Sequence, residues 1–181
     1  MNHYGGKQLA ASSRTVRKNT LQIAEDIPED KYNFRAAPGT RSVAELLTHI
    51  AVSQSFQEEV HRKEKRSTLA GFDFPALMQR MAAAEQEPRT KAQIIELLRS
   101  NGEAWAAWLE GLGDDFLAEN VSMPPGGSPA SRTRFDMLLS VKEHEMHHRG
   151  QLMLVERIVG IVPHLTRERQ ARAAASANAK Q

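Results

Sequence analysis

Apolar side chains recur at three- and four-residue intervals in four long segments of this chain, and no segment alternates apolar and polar residues as a half-buried strand would. The first segment covers about residues 6–26, with Leu9, Val16, Thr20, Ile23 and Ile27 on one face. Pro28 predicts its end, because proline disfavours helical geometry in the residue before it. The second opens at Ser42-x-x-Glu45, a capping box in which two side chains satisfy free N–H groups of the first turn. Its stripe is Val43, Leu46, Leu47, Ile50 and, further on, Val60, after which the charged run 61–66 erases the period. Residues 63–89 read as a long connection that holds Phe72, Phe74, Pro75 and a short helix through Met81. A second capping box, Thr90-x-x-Gln93, starts the third segment. Ile94, Leu97, Leu98, Trp105, Trp108 and Leu109 form its buried face, and Gly111-Leu112-Gly113 closes it. The stretch 114–131, with Pro124-Pro125-Gly126-Gly127, reads as a loop. The fourth segment runs from about Thr133 to Gly160, with Pro163 beyond it. Four amphipathic helices joined by one long crossover predict an all-α four-helix bundle.

Composition narrows what such a bundle can do. The 181 residues suit one domain, taken as 1–165, followed by a basic, alanine-rich tail at 166–181 that is expected to be mobile. There is no cysteine, which excludes disulfides, cysteine-built zinc or iron–sulfur sites and any thiol nucleophile of the chain's own. No apolar run nears the ~18 residues of a membrane span, and the first residues lack the apolar core of a signal peptide. These features together predict a cytoplasmic protein. The net charge of +2 comes from the ends, where residues 1–19 carry four basic side chains and no acid. The middle is acidic, so nothing here reads as a nucleic-acid surface.

Two histidines interrupt the apolar stripe of the fourth helix. Met137, Val141, His144, His148, Leu152, Val155 and Val159 share one face at ~100° per residue, and His144 and His148 sit at its centre. Imidazoles one turn apart on a buried face either find hydrogen-bond partners in the core or direct two ring nitrogens at one metal ion. A bundle site needs a further ligand from a facing helix, and His49, at the edge of the second helix's stripe, is the candidate. Its position alone is more often that of a boundary histidine than of a ligand. His147 falls on the opposite side of the fourth helix, while His3, His61 and His164 lie in terminal or charged segments and read as surface residues. Trp105 and Trp108, at helical spacing, read as core.

The helix-two sequence TRSVAELLTHI and the helix-four sequence VKEHEMHHRGQLMLVERIVG together resemble the DinB/YfiT-like family of metal-dependent enzymes. In that family a histidine of the second helix joins an H-x-x-x-H pair of the last helix, followed by Arg-Gly-Gln-Leu. The matching positions here are His49, His144 and His148, then Arg149-Gly150-Gln151-Leu152. The resemblance implies up-down-down-up connectivity, one divalent ion (nickel, zinc or iron), a homodimer and a small-molecule substrate. It names no reaction, although some relatives are transferases or isomerases that use a low-molecular-weight thiol. Three histidines leave a coordination position open, where a water or an incoming thiol would be activated for hydrolysis or transfer. Arg149 and Gln151 are candidates for supporting contacts beside the ligands. Two rivals compete. A non-catalytic bundle would use the ion only as a staple. A ferritin-like di-iron centre would use Glu58-x-x-His61 and Glu145-x-x-His148, but Glu58 and His61 fall in a charged segment and Glu145 lies ~60° off the histidine stripe.

Overall fold

The computed structural model describes residues 4–178, so the reading of His3 falls outside the described residues. Four long helices form the bundle: α1 (Gly6–Asp26), α2 (Val43–Val52), α5 (Lys91–Glu110) and α7 (Arg134–Ile158). Both expected capping boxes are formed. The Ser42 and Thr90 hydroxyls accept from the Glu45 and Gln93 N–H groups, and the Glu45 and Gln93 side chains reach back to the cap N–H groups.

Cross-helix contacts fix the directions. Lys91 Nζ, at the start of α5, donates to the Glu25 and Ile27 carbonyls at the end of α1. Gly6, at the start of α1, lies against the end of α5 so closely that a Cβ would sit 2.5 Å from the Leu109 carbonyl oxygen. These two helices are therefore antiparallel. Asn101 Nδ2 donates to the Ala51 carbonyl while Ile94 lies beside Ala44 and Thr48, so α2 and α5 run the same way. Tyr4 meets Phe135 and Arg17 meets Glu145, which makes α1 and α7 parallel. The order is up-down-down-up, with the long connection joining the two parallel helices.

The connection contains more structure than the sequence pattern suggested. The second helix breaks after Val52, continues as α3 (Ser55–Gln57) and ends in a π-helical turn over Glu58–Lys63. The short helix expected through Met81 is a 13-residue element, α4 (Phe74–Gln86), capped by Asp73 and packed on α2. The stretch 114–131 is not a bare loop. It holds α6 (Asp114–Ala118) and a two-stranded antiparallel hairpin, β1 (Asn120–Ser122) and β2 (Ser131–Thr133), around the Pro-Gly turn. The C-terminal segment continues as α8 (His164–Asn178), a helix whose residues from Arg167 on are exposed.

Two apolar clusters fill the ends of the bundle. Ile23, Leu47, Ile50, Leu98 and Leu152 close one end, while Leu9, Trp105, Leu109 and Leu138 close the other. Each such side chain contributes about 1.5–3 kcal/mol by leaving water. Between them lies a polar layer. Arg17 forms a two-pronged pair with Glu145 (2.9 and 3.0 Å) and donates to the Leu98 carbonyl, and Thr20 donates to Glu145 at 2.7 Å. Glu145 therefore faces α1 and is unavailable to a di-iron centre. A third cluster, Val60, Leu69, Val121 and Met137 with three phenylalanines against it, sits beneath the hairpin.

Candidate metal centre

α2 and α7, running antiparallel, bring His49, His144 and His148 together, with one ring nitrogen of each within 4.8 Å of the others. His144 Nε2 lies 3.1 Å from His49 Nε2 and 3.1 Å from His148 Nε2. Two nitrogens each 2.0–2.1 Å from one ion stand about 2.9 Å apart at a right angle and about 3.3 Å apart at the tetrahedral angle, so the observed spacing suits shared coordination.

The outward nitrogens decide which way the lone pairs face. His49 Nδ1 is 2.6 Å from Glu85 Oε1. Burial alone would push the Glu85 carboxyl up, but hydrogen bonds from Arg41 and His49 outweigh it and hold the group below its ordinary value. An ionised carboxylate only accepts, so His49 Nδ1 carries the proton and Nε2 presents a lone pair. His148 Nδ1 donates in the same way to Gln151 Oε1 at 2.8 Å, and the Gln151 amide in turn donates to His147 Nε2 at 3.2 Å. Burial, reinforced by the His148 and His49 rings, lowers the His144 pKa to about 4, and burial also lowers His148 against its bond to Gln151. Neutral rings are what a metal requires. With lone pairs from both neighbours aimed at it, His144 can satisfy at most one by donating from Nε2. Its Nδ1 is buried without a partner among the described residues. A cation among the three nitrogens resolves that conflict, so the donor set fits a divalent ion such as nickel, zinc or iron.

Two cavities meet at the histidines. One, of about 720 Å³, opens beside His148 between Arg35, Arg41, Glu85, Leu154 and Gln151. The other, of about 320 Å³, opens beside His49 and His144 against Phe56, Phe74 and Met81. α4 contributes to both, so it roofs the histidine cluster. Among the described residues no fourth His, Asp or Glu joins the three histidines in the group.

Sequence reasoning placed several residues differently. His61 is not at the surface: it is 1% exposed, between Arg134 and Gln57. The charged run around it is solvated, but the π-helical turn rotates His61 inward. His164 is 5% exposed, with Nε2 3.3 Å from Asn19 Oδ1, because the first turn of α8 lies against α1. Arg149 lines neither cavity, whereas Gln151 touches His148 directly. Glu85 and Arg41 went unnoticed. Phe74, Met78, Met81 and Glu85 repeat the 4-3-4 spacing that singled out the helix-four histidines, and that signal could have found Glu85.

Comparison with known proteins agrees with this fold. The family model described as the DinB superfamily matches residues 13–152. YjoA of Bacillus subtilis (strain 168) is 24% identical over 153 residues, covering 84% of this chain and 90% of YjoA. The crystal structure of YjoA, described as a DinB-like protein, superposes with a TM-score of 0.62 at 25% identity, over 84% of this chain and 92% of that one. YfiT of Bacillus subtilis, described as a probable metal-dependent hydrolase with an unusual four-helix bundle topology, superposes with a TM-score of 0.66 at 16% identity, over 89% and 91% of the two chains. At that identity the likeness to YfiT speaks for the fold. With most of its bundle matched by the family model, this chain belongs to the DinB superfamily.

Proposed function

We propose that the protein is a metal-dependent hydrolase that holds one divalent ion on His49, His144 and His148 and acts on a small molecule. The observation that carries this reading is the convergence of three Nε2 atoms while the outward nitrogens of His49 and His148 are tied to Glu85 and Gln151. YfiT, of similar fold, is described as a probable metal-dependent hydrolase, which supports it. An ion held there would supply Lewis acidity at its open side, toward a water or a substrate oxygen. Glu85 and Gln151 keep the histidine lone pairs aimed inward, and Arg41 keeps Glu85 charged. The α4 roof limits the entry of bulk water. Two cavities at the cluster favour catalysis over a closed structural staple, since a staple has no use for substrate space.

The larger cavity supports a second reading, in which a low-molecular-weight thiol enters as cosubstrate and the reaction is a transfer. The chain offers no cysteine of its own. Ester hydrolysis without added thiol separates the two. The family's homodimer is also part of our proposal. Met146, Leu154 and Ile158 form an exposed apolar row on α7, and light scattering should give a mass near twice the 20.2 kDa chain.

The decisive experiment is elemental analysis of tag-free protein purified without chelators, beside a His144→Ala/His148→Ala variant. About one nickel, zinc or iron ion per chain, lost in the variant, is the expected result. Equal metal content in both proteins would overturn the ligand assignment.

A further inference from the structure

The smaller cavity has a chemistry of its own. Phe56, Phe74, Met78, Met81 and Val141 wall it, and no Lys, Arg, Asp or Glu lines it. Its two serines are occupied: Ser53 donates to the Ile50 carbonyl and Ser140 to the Met137 carbonyl. The remaining polar side chain away from the histidines is Gln57. A ligand here meets an almost wholly apolar wall.

The orientation of Gln57 is set from outside the cavity by a chain of hydrogen bonds. Glu119 Oε2 accepts from Arg134 Nε at 2.8 Å. Arg134 Nη1 lies 2.9 Å from His61 Nδ1, and a guanidinium can only donate, so Nδ1 accepts. The His61 proton is therefore on Nε2, which donates over 2.9 Å to Gln57 Oε1. His61 and Arg134 are 1% and 3% exposed, so the bonds His61 makes to Arg134 and Gln57 lie in a dry interior where exchange with water does not weaken them, while half-exposed Glu119 holds the outer end. Phe116 stacks on the guanidinium at 4.7 Å and holds it in place. With Oε1 committed to His61, the Gln57 amide N–H₂ is turned the other way. That nitrogen has no partner among the described residues, yet it is not sealed from solvent. Gln57 is itself part of the wall of the cavity, the open space beside that nitrogen.

We infer that Gln57 is a substrate-binding residue, and that this lobe takes an uncharged aryl or short alkyl carbonyl compound whose oxygen accepts from the Gln57 amide. The apolar wall selects the body of the ligand and Gln57 selects the carbonyl. The lobe's own side chains offer a carboxylate no cation, so the metal-free protein disfavours one. Arg134 and His61 are positioning residues, acting only through the glutamine. The inference deepens the hydrolase reading and rests on it for the metal's place beside the lobe. The chemistry of the lobe stands on its own residues.

The test uses the full chain labelled at methionine methyls and at nitrogen, as wild type and as Gln57→Leu, each metal-free and nickel-loaded. The probes are benzamide, ethylbenzene and benzoate, titrated by NMR. In wild type, benzamide should move the Met81 methyl and the Gln57 side-chain amide pair, and should bind about three- to ten-fold tighter than ethylbenzene, the range of one neutral hydrogen bond. Ethylbenzene should move the methyl and leave the amide pair in place. Gln57→Leu should abolish the benzamide preference without weakening ethylbenzene, and in the metal-free protein benzoate should bind least. An unchanged preference in Gln57→Leu, a silent Met81 methyl, or tightest binding by benzoate to the metal-free protein would each overturn the inference. Gln57→Met, of similar length without the amide, carries the test if the leucine variant does not fold. Should nickel fail to bind while the probe pattern holds, the metal reading falls and the lobe assignment stands. Nickel binding without the probe pattern overturns the lobe assignment and leaves the metal reading standing.

Discussion

At His49 the position of a single proton decides whether the ring can ligate, and Glu85 sets that position from α4. The side-chain carboxylate accepts from both Arg41 (2.7 Å) and His49 (2.6 Å), so it is itself held in place from the far side. Glu85→Gln keeps an acceptor but loses the charge, and it should weaken metal affinity by about 10- to 100-fold with the fold intact. Calorimetric titration against wild type reads this directly, and equal affinities would remove Glu85 from the site. A different carboxyl controls stability. Glu156 is fully buried, and among the described residues neither of its oxygens has a partner. Burial raises its pKa from 4.5 to about 7, Asp26 adds to the rise, and Arg167 and Arg157 oppose it. The folded state thus holds a proton that the unfolded state releases near 4.5. Its contribution is fully present below that pH, is lost as pH rises through about 7, and amounts to roughly 3 kcal/mol. Glu156→Gln should therefore gain on wild type in denaturant midpoint from pH 5 to pH 8. The comparison must be made against wild type, because His61 and His144, lowered from 6.5 to about 4, give the opposite slope at acid pH. Parallel pH profiles for the two proteins would refute the assignment.

Between helices, the link that stands out is the buried pair that ties α1 to α7 across 128 residues of sequence. Arg17 and Glu145 are 7% and 6% exposed at the side chain, so removing one leaves the other charged and dry. Arg17→Met should cost about 3–5 kcal/mol in urea unfolding, while Arg17→Met with Glu145→Leu should recover most of it. Additive losses in the double variant would mean that the two side chains act independently. The same pair shows which elements could be read in advance. The four long helices were legible because their stripes and capping boxes are local: Ser42 to Glu45 and Thr90 to Gln93 lie within one turn. Glu145 was legible only as off the histidine stripe, since its partner lies on another helix. α4 extends beyond the Met81 end expected from sequence because its remaining turn, Ala82–Gln86, is mostly exposed and shows no apolar period. The hairpin strands have three residues each, too short for alternation to register. His61 reads as a surface residue in sequence because a π-helical turn shifts the phase that a 3.6-residue period assumes.

Across the whole molecule, connectivity and the histidine cluster depend on each other. Parallel α2 and α5 require the long 63–89 connection, and that connection carries α4, so the topology that a sequence can suggest from loop length also delivers Glu85 and the roof of the cavities. His49 and His144 are 95 residues apart and come within 3.1 Å only in the finished bundle. An ion shared by these rings binds the native state and has no comparable site in the unfolded chain, so metal affinity is also fold stability. At free metal near 100 times Kd the gain is about 2.7 kcal/mol. Chelation of wild-type protein should lower the unfolding midpoint, and returning nickel or zinc should restore it in proportion to the logarithm of free metal. His144→Ala/His148→Ala should show no response to either treatment. It should also match or exceed chelated wild type in stability, because the variant no longer buries His144 Nδ1 without a partner. A midpoint that ignores chelator in wild type, or one that moves equally in the variant, would separate the histidine cluster from metal binding and leave it as a feature of the core.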